Sequence, residues 1–206
     1  MSKKQIYKTV LKESETLLVE KKSKFISNVK PVDNEADAIA YVNEIKSKYP
    51  DARHNVYAYV IDENNIFRYT DDGEPSGTAG MPVLDTVRKS GLVDVVVVVT
   101  RYFGGTLLGT GGLVRAYSGS AKQGLEASKI ITRMMCDIIS ARVSYDLVGK
   151  LQYTLARRLR YRGHRLCKRG HIFYHITKGR YGAAHGKAYG HHRRPGGACC
   201  RGFKVY

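Results

Sequence analysis

The chain is 206 residues long with a formal net charge of +17, yet all 18 Asp and Glu lie in residues 1–156, beside 21 Lys and Arg. Residues 157–206 hold the other 14 Lys and Arg, no acid and six of the seven His, so the basic excess belongs to the tail and the rest reads as an ordinary globular domain. The longest apolar run, Val95–Val99, is far short of the ~18–20 residues that cross a bilayer, and a single cysteine before residue 157, Cys136, excludes a disulfide framework there and points to a reducing compartment.

In chain order, Thr16–Glu20 and Phe25–Val32 read as strands joined across Lys21-Lys22-Ser23. Asn34 is an N-cap, with Asp37 at N3, for a helix that runs to Tyr49 before Pro50 stops it. Its stripe is Ala38, Ile39, Val42, Ile45 and Tyr49. Val56–Ile61 and Ile66–Tyr69 form a hairpin across Asp62–Asn65. A polar loop, Asp71–Gly80, precedes a short helix that carries Pro82, Val83, Leu84 and Val87, with Gly91 as its C′ residue. The β-branched run in Leu92–Thr100 predicts a strand covered on both faces, at the sheet centre. A second glycine loop, Tyr102–Gly112, feeds a helix with Leu113, Tyr117, Ala121 and Leu125 on one stripe. Gly119 and Gly124 inside that helix predict close packing against the sheet. A strand at Ile138–Val143 then leads to a helix from Ser144 bearing Leu147, Val148, Leu151 and Leu155. There are no internal repeats. The start, MSKKQIYKTVLKESETLL, has no apolar h-region and no small-residue cleavage site, so a cytoplasmic location is expected.

Both glycine loops sit directly before a helix start, where backbone N–H groups converge and the helix dipole favours an anion. The first offers Asp72, Gly73, Glu74, Ser76 and Thr78; the second offers Gly104, Gly105, Thr106, Gly109, Thr110, Gly111 and Gly112. Arg101 and Arg115 supply cations for bidentate contacts. The phosphate-loop patterns are incomplete. Gly104 and Gly109 have Walker A spacing, but Thr110 stands in place of the lysine, and Val114 occupies the third glycine position of a dinucleotide fingerprint. An ATPase or a nicotinamide enzyme is therefore disfavoured, and no cofactor is expected. Two readings stand for the loops: an anion cradle, or tight strand-to-helix turns that let helices approach the sheet.

His54, the one His before residue 157, is by base rate a hydrogen-bonded structural residue rather than a catalyst. Asp72 and Glu74 with Arg101 make either an acid–base or salt-bridge cluster, or a solvated loop. In the tail, Cys167, His171 and His175, then His191, His192, Cys199 and Cys200, are zinc-ligand types without a finger or ribbon arrangement, so no metal site is expected.

The segments DDGEPSGTAGMPVLD and VVVVVTRYFGGTLLGTGGLVRAYSGSAKQGL resemble the YigZ/IMPACT family, as do DARHNVYAYVI and KKSKFISNVKPV in the same order. The likeness covers about residues 15–128. It implies an α+β protein: a two-layer α/β sandwich related to a ribosomal-protein domain over residues 1–130, then a ferredoxin-like small domain. Residues 131–156 look like the opening of that second domain, and 157–206 do not offer its remaining strands and helix. Arg-Gly-His occurs at 162–164 and again at 169–171, and a shifted reading of one coding for it restores acidic residues. The tail is thus either a frame-shifted half-domain, not natively folded, or a genuine basic tail that binds RNA. The family is associated with regulation of translation, which implies a non-enzymatic module with RNA, the ribosome or a translation-related protein as partner. No established catalytic residue carries over; the surface that transfers by position is His54, Asp72, Gly73, Glu74, Arg101, the loop glycines and Arg115. The competing reading is a small hydrolase or transferase acting on a phosphorylated substrate held by the loops.

Overall fold

Alternating and doubly apolar runs organise the chain around one sheet. In the computed structural model, which describes residues 6–142, 149–150, 153, 165–167, 171–177 and 201–205, the chain divides into two units, Met1–Thr132 and Arg133–Tyr206. The first unit holds β1 (Ile6–Val10), β2 (Ser14–Glu20), β3 (Ser23–Pro31), α1 (Glu35–Lys48), β4 (His54–Ile61), β5 (Ile66–Thr70), α2 (Gly80–Lys89), β6 (Val95–Tyr102), α3 (Thr110–Ala127) and the start of β7 (Ile130–Arg142). Its main sheet runs β2-β3-β6-β4-β5, and every neighbouring pair is antiparallel.

β6 is the middle strand, and Val95–Val99 are fully buried on both faces. Val95, Val97 and Val99 pack with Val83, Leu84 and Val87 of α2 and Leu113, Tyr117 and Leu125 of α3. Val96 and Val98 pack with Ala38, Tyr41, Val42 and Ile45 of α1. Helices therefore cover both faces, and the unit has three layers. The two-layer sandwich expected from the family resemblance is corrected here: a strand of five consecutive buried valines needs a partner on each side. One helix cannot cover the whole second face, and Leu17 and Val19 on edge strand β2 remain 52% and 55% exposed.

Asn34 caps α1 as its sequence predicts, its side chain accepting from the Asp37 N–H at 2.8 Å while Nδ2 donates to the Asp37 carboxylate at 2.8 Å. The buried stripe of α1 differs by one turn position from expectation. Tyr41 is buried, its hydroxyl donating to Glu13, whereas Ile39 is 48% exposed. Gly91 ends α2 with φ 66° and donates to the Arg88 carbonyl. The glycines of α3 divide. A Cβ on Gly124 would meet Ser27 Oγ at 2.5 Å and Val29 Cγ2 at 2.8 Å, so this helix is pressed onto β3 there. A Cβ on Gly119 would meet only Leu18 Cδ2, at 3.7 Å, so the close packing expected at Gly119 is absent. β1 is an element that the sequence reading passes over; Tyr7 and Val10 are its buried residues.

In the second unit, β7 pairs antiparallel with β9 (His171–Thr177) and with β10 (Arg201–Val205), and β8 (Arg165–Cys167) pairs with β9. These three short strands fall where the sequence reading identifies no element. The helix expected from Ser144 lies mostly outside the described residues, as do His191, His192, Cys199 and Cys200. Among the described residues no helix is long and apolar enough to cross a membrane.

Packing of α3 on β3 makes one substitution costly and another harmless. Gly124→Ala is expected to lose about 1–3 kcal/mol by overpacking, whereas Ile39→Ser should stay within about 0.5 kcal/mol of the parent. Urea denaturation of the two variants checks the pair, and equal midpoints would contradict the packing described.

Candidate functional site

The sheet register places three chemically unlike residues in a row. Phe25 on β3 and His54 on β4 are both directly opposite Arg101 on β6. Side chains opposite each other on antiparallel neighbours share a face, and this row lies on the α2–α3 side, since Phe25 belongs to that core. The Arg101 guanidinium sits over the Phe25 ring at 5.6 Å and near the Phe103 ring at 5.7 Å. A buried guanidinium needs a counterion. Glu74 supplies it from the first glycine loop, with Oε1 2.6 Å from Arg101 Nη1. The same oxygen accepts from the Tyr117 hydroxyl at 2.7 Å. The side chains of Glu74 and Arg101 are 3% and 8% exposed. Burial, and then the Glu74 carboxylate, push the Tyr117 phenol well above its ordinary value, and its ring meets Phe25 edge-on at 5.1 Å.

His54 completes the cluster. Its Nδ1 is 2.8 Å from the Asp72 carbonyl oxygen, and Nε2 is 4.0 Å from Glu74. Asp72 turns the other way: its carboxylate accepts from the Asn55 N–H at 2.7 Å and pairs with Lys46 of α1 at 3.4 Å. Two neighbouring acids thus bind helices in opposite layers. Gly73, with φ 86°, lets the loop pass the His54 ring; a Cβ there would lie 3.4 Å from Nδ1.

The first loop holds its own anion. Asp71, which the sequence reading leaves out, accepts from the N–H groups of Gly77, Ala79 and Gly80 at 2.8–3.1 Å. These are the donors that an external phosphate would use at the start of α2, so the protein's own carboxylate fills that cradle. Thr78 is buried and donates to the Pro75 carbonyl, and Ser76 is exposed. The second loop is held by contact rather than charge. A Cβ on Gly104 would meet the Lys22 backbone at 2.0 Å, and the Gly104 N–H donates to Ser23 Oγ. Gly105, Thr106, Gly109, Thr110 and Gly111 are exposed, and Gly112 is half-buried. Gly109 caps α3 only through its carbonyl, which accepts from Leu113.

The structure gathers His54, Gly73, Glu74 and Arg101, with Asp72 beside them, and separates Arg115 from them. Arg101 and His54 line a cleft of about 500 Å³ with Asp51, Arg53, Tyr102, Phe103 and Leu107. Arg115 lines grooves beside α2 and at the β2 end of α3 instead. On the cleft rim, Tyr102 donates to Asp51 at 2.8 Å, and burial with that carboxylate pushes its phenol up to about 12. Tyr117 is the site residue that the sequence reading assigns only to the core. A tyrosine on a buried helical stripe requires a partner for its hydroxyl, which is the signal that marks it. Among the described residues no cluster of His, Cys, Asp and Glu could hold a metal ion.

Two measurements test this arrangement. Glu74→Gln leaves the Arg101 guanidinium buried without its counterion and should lose about 3–5 kcal/mol; adding Arg101→Met should recover part of it. The alkaline limb follows from Tyr117, whose folded pKa lies above the unfolded value of about 10. Its contribution is complete below pH ~10 and falls as the unfolded state alone loses the proton. The urea midpoint should therefore decline above pH ~10, and Tyr117→Phe should decline less steeply. Parallel curves for parent and variant would refute the assignment.

A family model for the Impact N-terminal domain matches residues 21–125. The chain is 43% identical over 150 residues to the IMPACT family member YvyE of Bacillus subtilis (strain 168), covering 72% of this chain and 69% of the relative. It is 45% identical over 108 residues to the IMPACT family member YigZ of Escherichia coli (strain K12), covering 51% of this chain and 53% of that one. A crystal structure of an hypothetical protein aligns with a TM-score of 0.61 at 29% identity, over 84% of this chain and 85% of the other. With its motifs, its matched domain and these relatives in agreement, the chain belongs to the IMPACT family.

Proposed function

We propose that the protein is a non-enzymatic binding module acting in the regulation of translation, and that its partner docks on the cleft between the start of β4 and the end of β6. One observation carries this reading. Phe103 and Leu107 are 55% and 82% exposed on the rim of the cleft, beside Arg53, which makes no ion pair among the described residues. An aromatic and a leucine held out on a loop, next to a free arginine, have the chemistry of an interface anchor. Gly104 pins that loop against the Lys22 backbone, so little ordering entropy remains to be lost on docking.

The polar groups at and behind the cleft support binding over catalysis. Glu74 is committed to Arg101 and Tyr117, Asp72 to Asn55 and Lys46, and His54 to the Asp72 carbonyl. None of these groups is left as an unengaged base beside a nucleophile. The reading of a phosphorylated substrate held by both loops is weakened by Asp71, which occupies the first. Membership in a family associated with translation directs the choice of partner to the ribosome, to RNA or to a translation-related protein, and the apolar rim favours a protein surface among these.

Co-sedimentation of the full chain with purified ribosomal particles tests the proposal. Replacing both Phe103 and Leu107 by Ala should weaken association by about tenfold or more, as expected for anchor residues, while the melting temperature stays put. Undiminished association of the double variant would remove the cleft as the docking surface.

A further inference from the structure

On the face of the sheet opposite α1, α2 and α3 border a groove of about 470 Å³. Lys89 of α2 stands on one wall, and Arg115 and Lys122 of α3 stand on the other. All three are exposed, and among the described residues none is paired with a carboxylate. Among the described residues Glu126 is the only acid lining the groove. Three cations against one acid leave it positively charged.

Gly119 lies on the ridge between Arg115 and Lys122, at the i+4 and i−3 positions respectively, and lines the same groove. Glycine in a helix interior is less favourable than alanine. Gly124, five residues later, is required by the contact with Ser27 and Val29, but a Cβ on Gly119 would find only ordinary contact with Leu18 at 3.7 Å. No packing within the unit accounts for a bare backbone at this point. The bare backbone lies where a chain placed between the cations would come closest to α3.

We propose that this groove binds the phosphodiester backbone of single-stranded nucleic acid. Lys89 on one side and Arg115 and Lys122 on the other contact successive phosphates, and Gly119 allows the strand to lie against the helix. Among the described residues no aromatic side chain lines the groove. Base stacking is therefore absent and recognition is independent of sequence; the missing aromatic anchors also argue against a protein partner here. The site is separate from the Phe103–Leu107 cleft and stands or falls without it.

Fluorescence anisotropy of the full chain with a labelled oligouridine of about 12 nucleotides, over a range of salt concentrations, reads the proposal. Losing two phosphate contacts in the Arg115→Ala, Lys122→Ala double variant should reduce the slope of log affinity against log salt by about 1.4. Gly119→Ala should bind several-fold more weakly while melting at a higher temperature, the combination that a structural glycine would not produce. Lys12→Ala, away from the groove, should match the parent in both respects. An unchanged slope in the double variant would overturn the proposal and assign the binding to other basic residues, such as those of 157–206. Parent-like affinity of Gly119→Ala would overturn it as well, and so would polyglutamate displacing the oligouridine at equal charge concentration.

Discussion

The carboxylate of Glu74 is the point on which the described end of the first unit depends. It is buried, and it is shared by a guanidinium on the central strand and a phenol on α3. A buried charge without a partner destabilises by several kcal/mol, and a fully bonded one fixes the positions of its partners. The bonds to Glu74 therefore set the depth of the first glycine loop, the rotamer of Arg101 and the rotation of α3 at Tyr117. Phe25 closes the arrangement from β3 by packing against both the guanidinium and the Tyr117 ring. His54, opposite Arg101 in register, is held by the Asp72 carbonyl of the same loop. The first loop, β4, β6 and α3 meet around one oxygen, with Phe25 of β3 packed on two of its partners, and this holds the loop Asp71–Gly80 in a defined shape although it has no regular structure.

The other constraint is the valine strand. Residues 95–99 have no polar face to give to water, so the chain must supply cover on both sides, and it does so unequally. Two helices pack on the Val95, Val97 and Val99 side, and α1 alone packs on the other. The functional features follow this asymmetry. The α2–α3 side carries the buried ion cluster, and its outer surface carries the basic groove. Asp72 and Glu74, two residues apart, stitch the layers together by reaching α1 and α3 in turn.

Much of this was legible in the sequence where the signal is local. The Asn34 cap, the stop at Pro50, the Asp62–Asn65 turn and Gly91 after α2 depend on a few adjacent residues, and each is found where short-range chemistry puts it. The centrality of β6 was legible because an unbroken β-branched run has one stable environment. The failures share a different cause. Ile39 and Tyr41 are close neighbours on α1, and only the angle at which the helix meets the sheet decides which is buried. Asp71 and Asp72 are identical side chains in one loop, yet the first caps α2 and the second pairs with α1. Arg101 and Arg115 flank the same glycine loop, but a buried strand position and an exposed helical one send them to different surfaces. Each of these distinctions is tertiary, and no window of adjacent residues encodes it.

The glycines show how far a motif can be read before geometry takes over. As a string, the second loop resembles a phosphate cradle, and in space its members do unlike things. Gly104 exists because the Lys22 backbone passes too close for any side chain, and that contact is made possible by a two-residue hairpin turn in which Lys21 and Lys22 both adopt positive φ, at 45° and 66°. Non-glycine residues are strained there. The strain in one turn and the missing side chain in the other are therefore two halves of a single contact between β2–β3 and the loop after β6. Further along, Gly124 serves the packing of α3, whereas Gly119, on the exposed ridge of the same helix, has no such neighbour. Composition alone weighs these glycines equally. What separates them is the distance to the nearest atom: a Cβ on Gly124 would sit 2.5 Å from Ser27 Oγ, whereas one on Gly119, which lies between two unpaired cations in the helix interior, would meet only Leu18 at 3.7 Å.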